Sequence, residues 1–125
     1  MRQKQPPIIR RANKLKPFRA KDGAFIYELL RPQNSPIKNV GIAVGALGKR
    51  KHALPHFHKI SEEVYYILSG RGAVTINGRT QKIKTGDAIY IPINAVHALT
   101  NLTRQKLEVL CISSPPYTDK DFYFI

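Results

Sequence analysis

The sequence predicts one all-β domain, a sandwich or a barrel, and three observations carry this prediction. Short apolar runs recur about every 8–12 residues with turn residues between them. The 8 glycines and 9 prolines are spread along the chain, which suits many strands joined by turns. No run keeps helical periodicity for more than about two turns. The length of 125 residues favours one domain, which we divide into a basic arm, residues 1–22, and a barrel domain, residues 23–125.

The arm carries eight Lys and Arg residues before the first acid, Asp22. Pro6, Pro7 and Pro17 argue against a helix in this segment. The edge of a sheet needs cover. We therefore expect residues Gln5–Arg11 to lie as an extra strand on this chain's own sheet or on that of a partner, within a homodimer.

The strands that follow are each predicted by a local pattern. Residues 40–47 alternate large and small side chains, and residues 64–68 are aromatic and β-branched. Asn77-Gly78 is the best short hairpin signal in the chain. Farther along, Pro92 ends the strand predicted at residues 88–91. The full set of predicted strands is 25–30, 40–47, 64–68, 73–76, 79–84, 88–91, 97–102 and 107–112.

Charge and composition bound the partners. The formal net charge is +13, which fits a nucleic-acid arm, a solvated surface or an anionic substrate. Phe18 is the only aromatic residue in the arm, so we expect nucleic-acid binding to be absent or non-specific. No apolar run approaches the roughly 18 residues that cross a membrane. Cys111 is the only cysteine, which excludes an intrachain disulfide and fits a reducing cytoplasm.

The histidines carry the chemistry. His56 and His58 are two residues apart, so on extended backbone both side chains point to the same side. Glu63 comes just before a strong strand and His97 begins another. Three neutral imidazoles and one carboxylate suit one divalent transition metal: Fe, Mn, Ni, Co, Cu or Zn. On the His-x-His pattern alone, two exposed loop histidines and one partly buried histidine explain the sequence slightly better than a metal site does.

The spacing of these residues resembles the two-part signature of the cupin family. The first part is His56-Phe57-His58, four residues, Glu63, and six residues to Gly70. The second part is Gly86, five residues, Pro92-Ile93-Asn94, two residues, His97, three residues and Asn101. Arg50 and Asn94 stand where the family has glycine, and neither change removes a ligand. The last residues, from Cys111 to Tyr117, are similar to those of one-domain cupins described as mannose-6-phosphate isomerase-like.

The resemblance implies a double-stranded β-helix, or jelly-roll, barrel that holds one metal on His56, His58, Glu63 and His97. It also implies a small-molecule ligand. We expect metal-dependent isomerase, cyclase, lyase or dioxygenase chemistry on a small oxygenated, anionic molecule. The alternative is a non-enzymatic binding or sensor protein with a structural metal, because this fold hosts many functions.

Strand parity assigns the remaining side chains. If Glu63 faces inward, Tyr65 does too, while Glu62 faces outward; the family spacing to glycine also selects Glu63. Tyr65 is then either a hydrogen-bond donor in the site, with a catalytic role, or a core aromatic. We also expect Leu99 and Cys111 to face inward, Cys111 as an inert thiol, and His52 to lie on the surface.

Overall fold

The computed structural model describes residues 6–125, and it confirms the all-β, jelly-roll prediction. Two short 3-10 helices, Ala12–Lys14 and Asp119–Asp121, are the helical elements of this part of the chain. The strands in chain order are β1 (Phe18–Arg19), β2 (Phe25–Leu30), β3 (Gly41–Leu47), β4 (His52–Phe57), β5 (Glu62–Ser69), β6 (Arg71–Ile76), β7 (Arg79–Lys84), β8 (Ala88–Ile91), β9 (His97–Asn101), β10 (Leu107–Ser114) and β11 (Tyr123–Phe124).

The strands form two antiparallel sheets. The six-stranded sheet has the order β1-β2-β3-β10-β5-β8, and the five-stranded sheet has the order β11-β4-β9-β6-β7. Consecutive strands alternate between the sheets through much of the chain, which is why residues far apart in sequence meet in the space between them. Ile67, Ile91 and Leu107 are fully buried there, and they anchor a core that both sheets share.

The turns follow the chemistry of their residues. Asn77 and Gly78 both have positive φ, 48° and 82°, and join β6 to β7 as the hairpin that the sequence predicts. Asn94 has a φ of 68° and Arg50 a φ of 54°. Both residues stand where the family signature has glycine, so the backbone keeps the left-handed conformation without it.

Strand β4 is absent from the sequence prediction because Pro55 lies inside it. Proline cannot donate to a strand ladder and is therefore confined to edges and bulges. The pairing of β4 with β9 shifts register between Ala53 and His56, and this irregularity accommodates the proline. The strand therefore reaches His56 with the ladder restored.

The structure answers one of the two alternatives predicted for the arm, a strand on the chain's own sheet, and leaves the partner's sheet as a prediction. Gln5 lies outside the described residues, and residues 6–11 form no strand with the chain's own sheets, since Pro6 and Pro7 offer no backbone N–H. The extra strand is β1, which pairs with β2 at Phe18↔Ile26. None of the helices in residues 6–125 is long and apolar enough to cross a membrane.

Candidate metal centre

Three histidines converge between the two sheets. His56 on β4 lies directly opposite His97 on β9 in the strand pairing, and His58 follows β4 by one residue. All three are buried, with His97 only 1 % exposed. One ring nitrogen from each lies within 4.8 Å of the others. A cluster of three imidazole nitrogens at this spacing is a metal-chelate geometry.

The backbone fixes the tautomer of each ring. Nδ1 of His56 lies 2.8 Å from the Leu54 carbonyl oxygen, and Nδ1 of His97 lies 2.9 Å from that of Ala95. Nδ1 of His58 lies 2.5 Å from the carbonyl oxygen of Asp121. A carbonyl oxygen can only accept, so each Nδ1 carries the proton and donates it. In the neutral rings Nε2 is therefore left with a free lone pair, as a metal ligand requires.

Glu63 reaches the same point from the opposite sheet. Its Oε1 lies 3.1 Å from Nε2 of His58 and 3.3 Å from Nε2 of His97. Among the described residues, neither Glu63 Oε1 nor His97 Nε2 has a hydrogen-bond partner, although both are buried. Lone pairs that face each other at this distance need a cation between them. A divalent metal fits this set of donors, and a proton is its replacement in the metal-free protein.

The electrostatics of the metal-free site follow from this contact. Burial opposes ionisation of Glu63, yet the nearby imidazoles of His58 and His97 hold the pKa of its carboxyl down to about 2. Burial also opposes the charging of His58, but Glu63 raises its pKa above 6.5. Burial and the nearby His97 lower the pKa of His56. The Glu63 carboxylate thus favours a proton on His58 in the metal-free site.

The site opens into a cavity of about 460 Å³. His56, His58 and Glu63 lie at one end, and Tyr65 and Leu99 form part of the wall, on the inward side that parity assigns to them. Burial raises the pKa of the Tyr65 hydroxyl well above 10.0, and the charge of Glu63 adds to this effect. Tyr65 therefore stays protonated at neutral pH and can donate a hydrogen bond but not act as a base.

The other assignments by parity are also visible. Glu62 is exposed on the outer side of β5 and accepts a hydrogen bond from the Tyr90 hydroxyl. Cys111 lines the cavity, where burial raises the pKa of its thiol, as expected of an unreactive side chain. His52 is exposed and belongs to no cluster of metal-binding groups among the described residues.

Two residues near the end of the chain support the site and were missed by sequence reasoning. The Asp121 carboxylate accepts from the backbone N–H groups of Lys59, Ile60 and Ser61, at 2.7–3.1 Å. This fixes the turn between His58 and Glu63. The ring of Phe122 stacks on His56 with 4.5 Å between centroids. Both lie beyond the family signature, in a tail without a strand pattern.

Asp22 is the third residue that the sequence did not reveal. Its Oδ2 lies 3.9 Å from Nε2 of His56, and its Oδ1 accepts from the backbone N–H of Ala24. The N–H of Leu54 donates to the Asp22 carbonyl at 2.8 Å, while the Leu54 carbonyl holds His56. The only sequence signal was its place in a Lys-Asp-Gly turn, which indicates a turn and nothing about a metal.

Comparison with known proteins places this geometry in context. Residues 43–113 match the family model described as the cupin domain. The chain is 39 % identical over 109 residues to an uncharacterized protein of Methanocaldococcus jannaschii, a match that covers 87 % of each chain.

Two solved structures share the fold. One, described as a predicted oxalate decarboxylase from Thermotoga maritima, has a TM-score of 0.77 at 24 % identity, covering 87 % of this chain and 99 % of that chain. The other is KdgF from Halomonas sp., with a TM-score of 0.76 at 16 % identity, covering 93 % of this chain and 98 % of that chain. At these identities the likeness establishes the fold alone.

Proposed function

The chain belongs to the cupin domain family, and from that premise we propose that it is a metal-dependent protein acting on a small oxygenated, anionic molecule. The observation that carries the proposal is the buried contact between Glu63 and the bare Nε2 atoms of His58 and His97. Glu63 Oε1 and His97 Nε2 are the two buried atoms without a hydrogen-bond partner among the described residues, and a cation between them would satisfy both. Its position at the end of a cavity gives a bound metal access to a ligand.

The residues divide the work. His56, His58 and His97 would bind the metal, and Glu63 would supply the fourth ligand and one negative charge. Three histidines and one carboxylate leave two positions of a six-coordinate ion for a ligand. A bound metal supplies Lewis acidity, or a template for dioxygen if it is iron. Isomerase, cyclase, lyase and dioxygenase chemistry are all compatible with this arrangement.

Tyr65 is the residue that we assign to the ligand. Its ring packs edge-on against the His97 ring, with 6.0 Å between the ring centroids. No residue in the range 6–125 forms a hydrogen bond with its hydroxyl. A protonated hydroxyl in the cavity wall can donate to an anionic oxygen of the guest, an interaction that is strong when charge-assisted. A tyrosine that served only the core would change stability and leave ligand affinity alone.

The experiment is metal loading followed by ligand binding. Protein reconstituted with Fe(II), Mn(II), Co(II), Ni(II) or Zn(II) is titrated with 2-hydroxy and 2-oxo acids and assayed for turnover. We expect Glu63→Gln to lower metal affinity at least about tenfold, while Glu62→Gln, its outward-facing neighbour, leaves it unchanged. We expect Tyr65→Phe to weaken acid binding with metal content unchanged, while Tyr66→Phe has no effect.

The outcomes separate the candidate functions. Turnover with iron only, accompanied by dioxygen uptake, would indicate dioxygenase chemistry, and turnover with zinc would indicate Lewis-acid chemistry. Binding without turnover for any metal would favour the sensor or storage protein. Failure of every metal-loaded form to bind any acid would overturn the proposal.

A further inference from the structure

The cavity beside the metal centre is much larger than a small acid. Its volume of about 460 Å³ lies within the range of roughly 300–1,000 Å³ that is typical of sites for drug-sized ligands. An acid of two or three carbons bound at the histidines would leave most of this space empty. The size and the lining of the rest of the cavity therefore indicate what kind of ligand binds there.

Small side chains on β3 create the space. Gly41, Ala43 and Gly45 lie opposite Ser113, Cys111 and Val109 of β10 and line the cavity. A Cβ added to Gly45 would meet Cys111 Sγ at 3.5 Å and Ile26 Cδ1 at 3.7 Å, an ordinary contact distance. Alanine would therefore fit at Gly45, whereas a Cβ at Gly41 would come within 3.2 Å of Ser113 Oγ, and the small residues keep the β3 side of the cavity open.

Part of the cavity wall is apolar. It is formed by aliphatic side chains from both sheets and the Cys111 thiol, while Glu28, Ser113 and Tyr117 are among the polar residues elsewhere in the lining. Water in such a space finds few hydrogen-bond partners, so an apolar group is the favoured occupant. The residues of this wall are Ile26, Ala43, Leu47, Ala53, Leu99, Val109 and Cys111.

The cations at the rim are engaged by the chain itself. Arg31 pairs with Glu28, Lys21 donates to the Asp119 carbonyl at 3.2 Å, and the guanidinium of Arg19 lies over the ring of Phe25. Of these three cations only Arg31 is paired with a carboxylate, so Lys21 and Arg19 keep the rim positively charged, while the electrophile that a chelating head requires is the metal at the histidines.

We propose that the ligand is amphipathic: a chelating acid head binds at the histidine end, and an apolar body of about six carbons or more fills the cavity along β3. This inference rests on the proposed function, since the head needs the metal. It names the class of ligand more narrowly, as a 2-hydroxy or 2-oxo acid with a hydrocarbon body rather than a short dicarboxylate. Ala43 and Gly45 set the length of the body.

A chain-length series tests the proposal. Straight-chain 2-hydroxy acids from glycolate to 2-hydroxyoctanoate are titrated into the cobalt-loaded protein, with calorimetry and the cobalt absorption spectrum as readouts. Burying one methylene tightens binding about fourfold, so we expect affinity to rise at each step until the cavity is full. The rise over the series should exceed about a hundredfold.

Variants locate the body of the ligand. Ala43→Leu should remove most of the extra affinity that the long acids have over glycolate. It should leave the affinity for glycolate and the cobalt content unchanged. Gly45→Val is the second variant, used if the first is poorly folded. Ala73→Leu is the matched control, because Ala73 lies on β6 outside the cavity lining.

Each outcome decides the proposal. Equal affinity for short and long acids would overturn it while leaving the proposed metal function standing, because glycolate would still bind. A loss for the long acids in Ala73→Leu equal to that in Ala43→Leu would also overturn it. Failure of glycolate and all longer acids to bind would instead count against the metal function itself.

Discussion

At the scale of single residues, the same hydrogen-bond arrangement occurs at all three histidines. A backbone carbonyl takes the Nδ1 proton of each histidine, from Leu54, Ala95 and Asp121. For His56 and His97 the carbonyl belongs to the residue two positions earlier. The strand backbone therefore aims each of these rings by itself, and no side chain is needed to select the tautomer.

The contact between Glu63 and His58 predicts a pH dependence of stability in the metal-free protein. The pKa of Glu63 is lowered from 4.5 to about 2, so its contribution is present above about pH 4.5 and is lost as pH falls toward 2. The pKa of His58 is raised above 6.5, so its contribution is present below that value and is lost as pH rises through the raised pKa. Both contributions require Glu63.

The measurement is urea unfolding of metal-free wild type and of Glu63→Gln across this pH range. The stability advantage of the wild type should be largest between about pH 4.5 and 6.5, and it should shrink by about 3 kcal/mol on the acid side. It should shrink on the alkaline side as well. A difference between the two proteins that stays constant from acid to alkaline pH would contradict this reading of the site.

The local sequence pattern predicted which residues face inward, but not the residues that hold them in position. Parity puts Glu63 and Glu62 on opposite faces, because strand alternation is a property of neighbouring residues. The family spacing to Gly70 selects Glu63 as the inward residue, and parity then places Tyr65 inward with it. Asp121 lies 63 residues beyond His58, and no local pattern links the two. Asp22 is also remote in sequence from His56, so contacts of this kind become visible only in the folded chain.

At the scale of elements, Phe122 and β11 pack against the candidate metal centre and form what we call the clasp. Strand β11 pairs with β4 at Tyr123↔Phe57 and Phe124↔His56. The ring of Phe122 lies between His56 and the ammonium group of Lys21, which is 5.5 Å from the ring centroid. The last strand thus covers the outer side of His56 and links it to the turn before β2.

Phe122→Ala tests this clasp. Removing the half-buried ring should cost about 2–3 kcal/mol of unfolding free energy and lower metal affinity about tenfold, because His56 loses its stacking partner. Metal titration and urea unfolding measure the two effects. Tyr123→Ala is the matched control, since Tyr123 stacks on Phe57; it should cost stability without lowering metal affinity. Equal metal affinity in both variants would show that the clasp has no part in the site.

The elements themselves were predictable where one face is buried and the turn residues are specific. The β6–β7 hairpin and the strands of the core follow from alternation and from Asn77-Gly78. Strand β4 was missed because Pro55 argues against a strand, and only the register shift in its pairing with β9 admits it. Strands β1 and β11 are two residues long, too short for any periodic signal.

At the scale of the molecule, the outer face of the six-stranded sheet lacks charge at its centre. Along each strand the side chains alternate between the inner and the outer face of this sheet. On the outer face, two rows of uncharged residues run across β2, β3, β10, β5 and β8. Tyr66 and Tyr90 are 41 % and 58 % exposed, which is unusual for the solvent side of an antiparallel sheet. The residues of this face are Tyr27, Ile42, Val44, Val64, Tyr66, Ala88, Tyr90, Leu110 and Ile112.

We propose that a second copy of the chain pairs through this face. The chain carries a net charge of +13, so the repulsion between two copies is weakest where they meet at an uncharged face. The acidic residues Glu62 and Glu108 border the face on β5 and β10, and Arg19 on β1, within the described part of the arm, lies beyond β2 at the other edge. A two-fold pairing would bring the arm of one copy toward the acids of the other.

Light scattering at tens of micromolar tests the homodimer. We expect a dimer for the wild type and a monomer for the double variant Tyr66→Lys, Tyr90→Lys. Thr75→Lys, on the outer side of β6 in the other sheet, is the matched control and should stay dimeric. A monomeric wild type, or a double variant that remains dimeric, would contradict the assignment of this face.

Elemental analysis of protein purified without a tag shows directly whether His56, His58 and His97 hold a metal. We expect close to one transition-metal ion per chain, largely lost in His58→Ala and in His97→Ala. His52→Ala, which changes an exposed histidine outside the cluster, should keep its metal. A wild type without metal after exposure to each candidate ion, or full retention in either site variant, would contradict the claim.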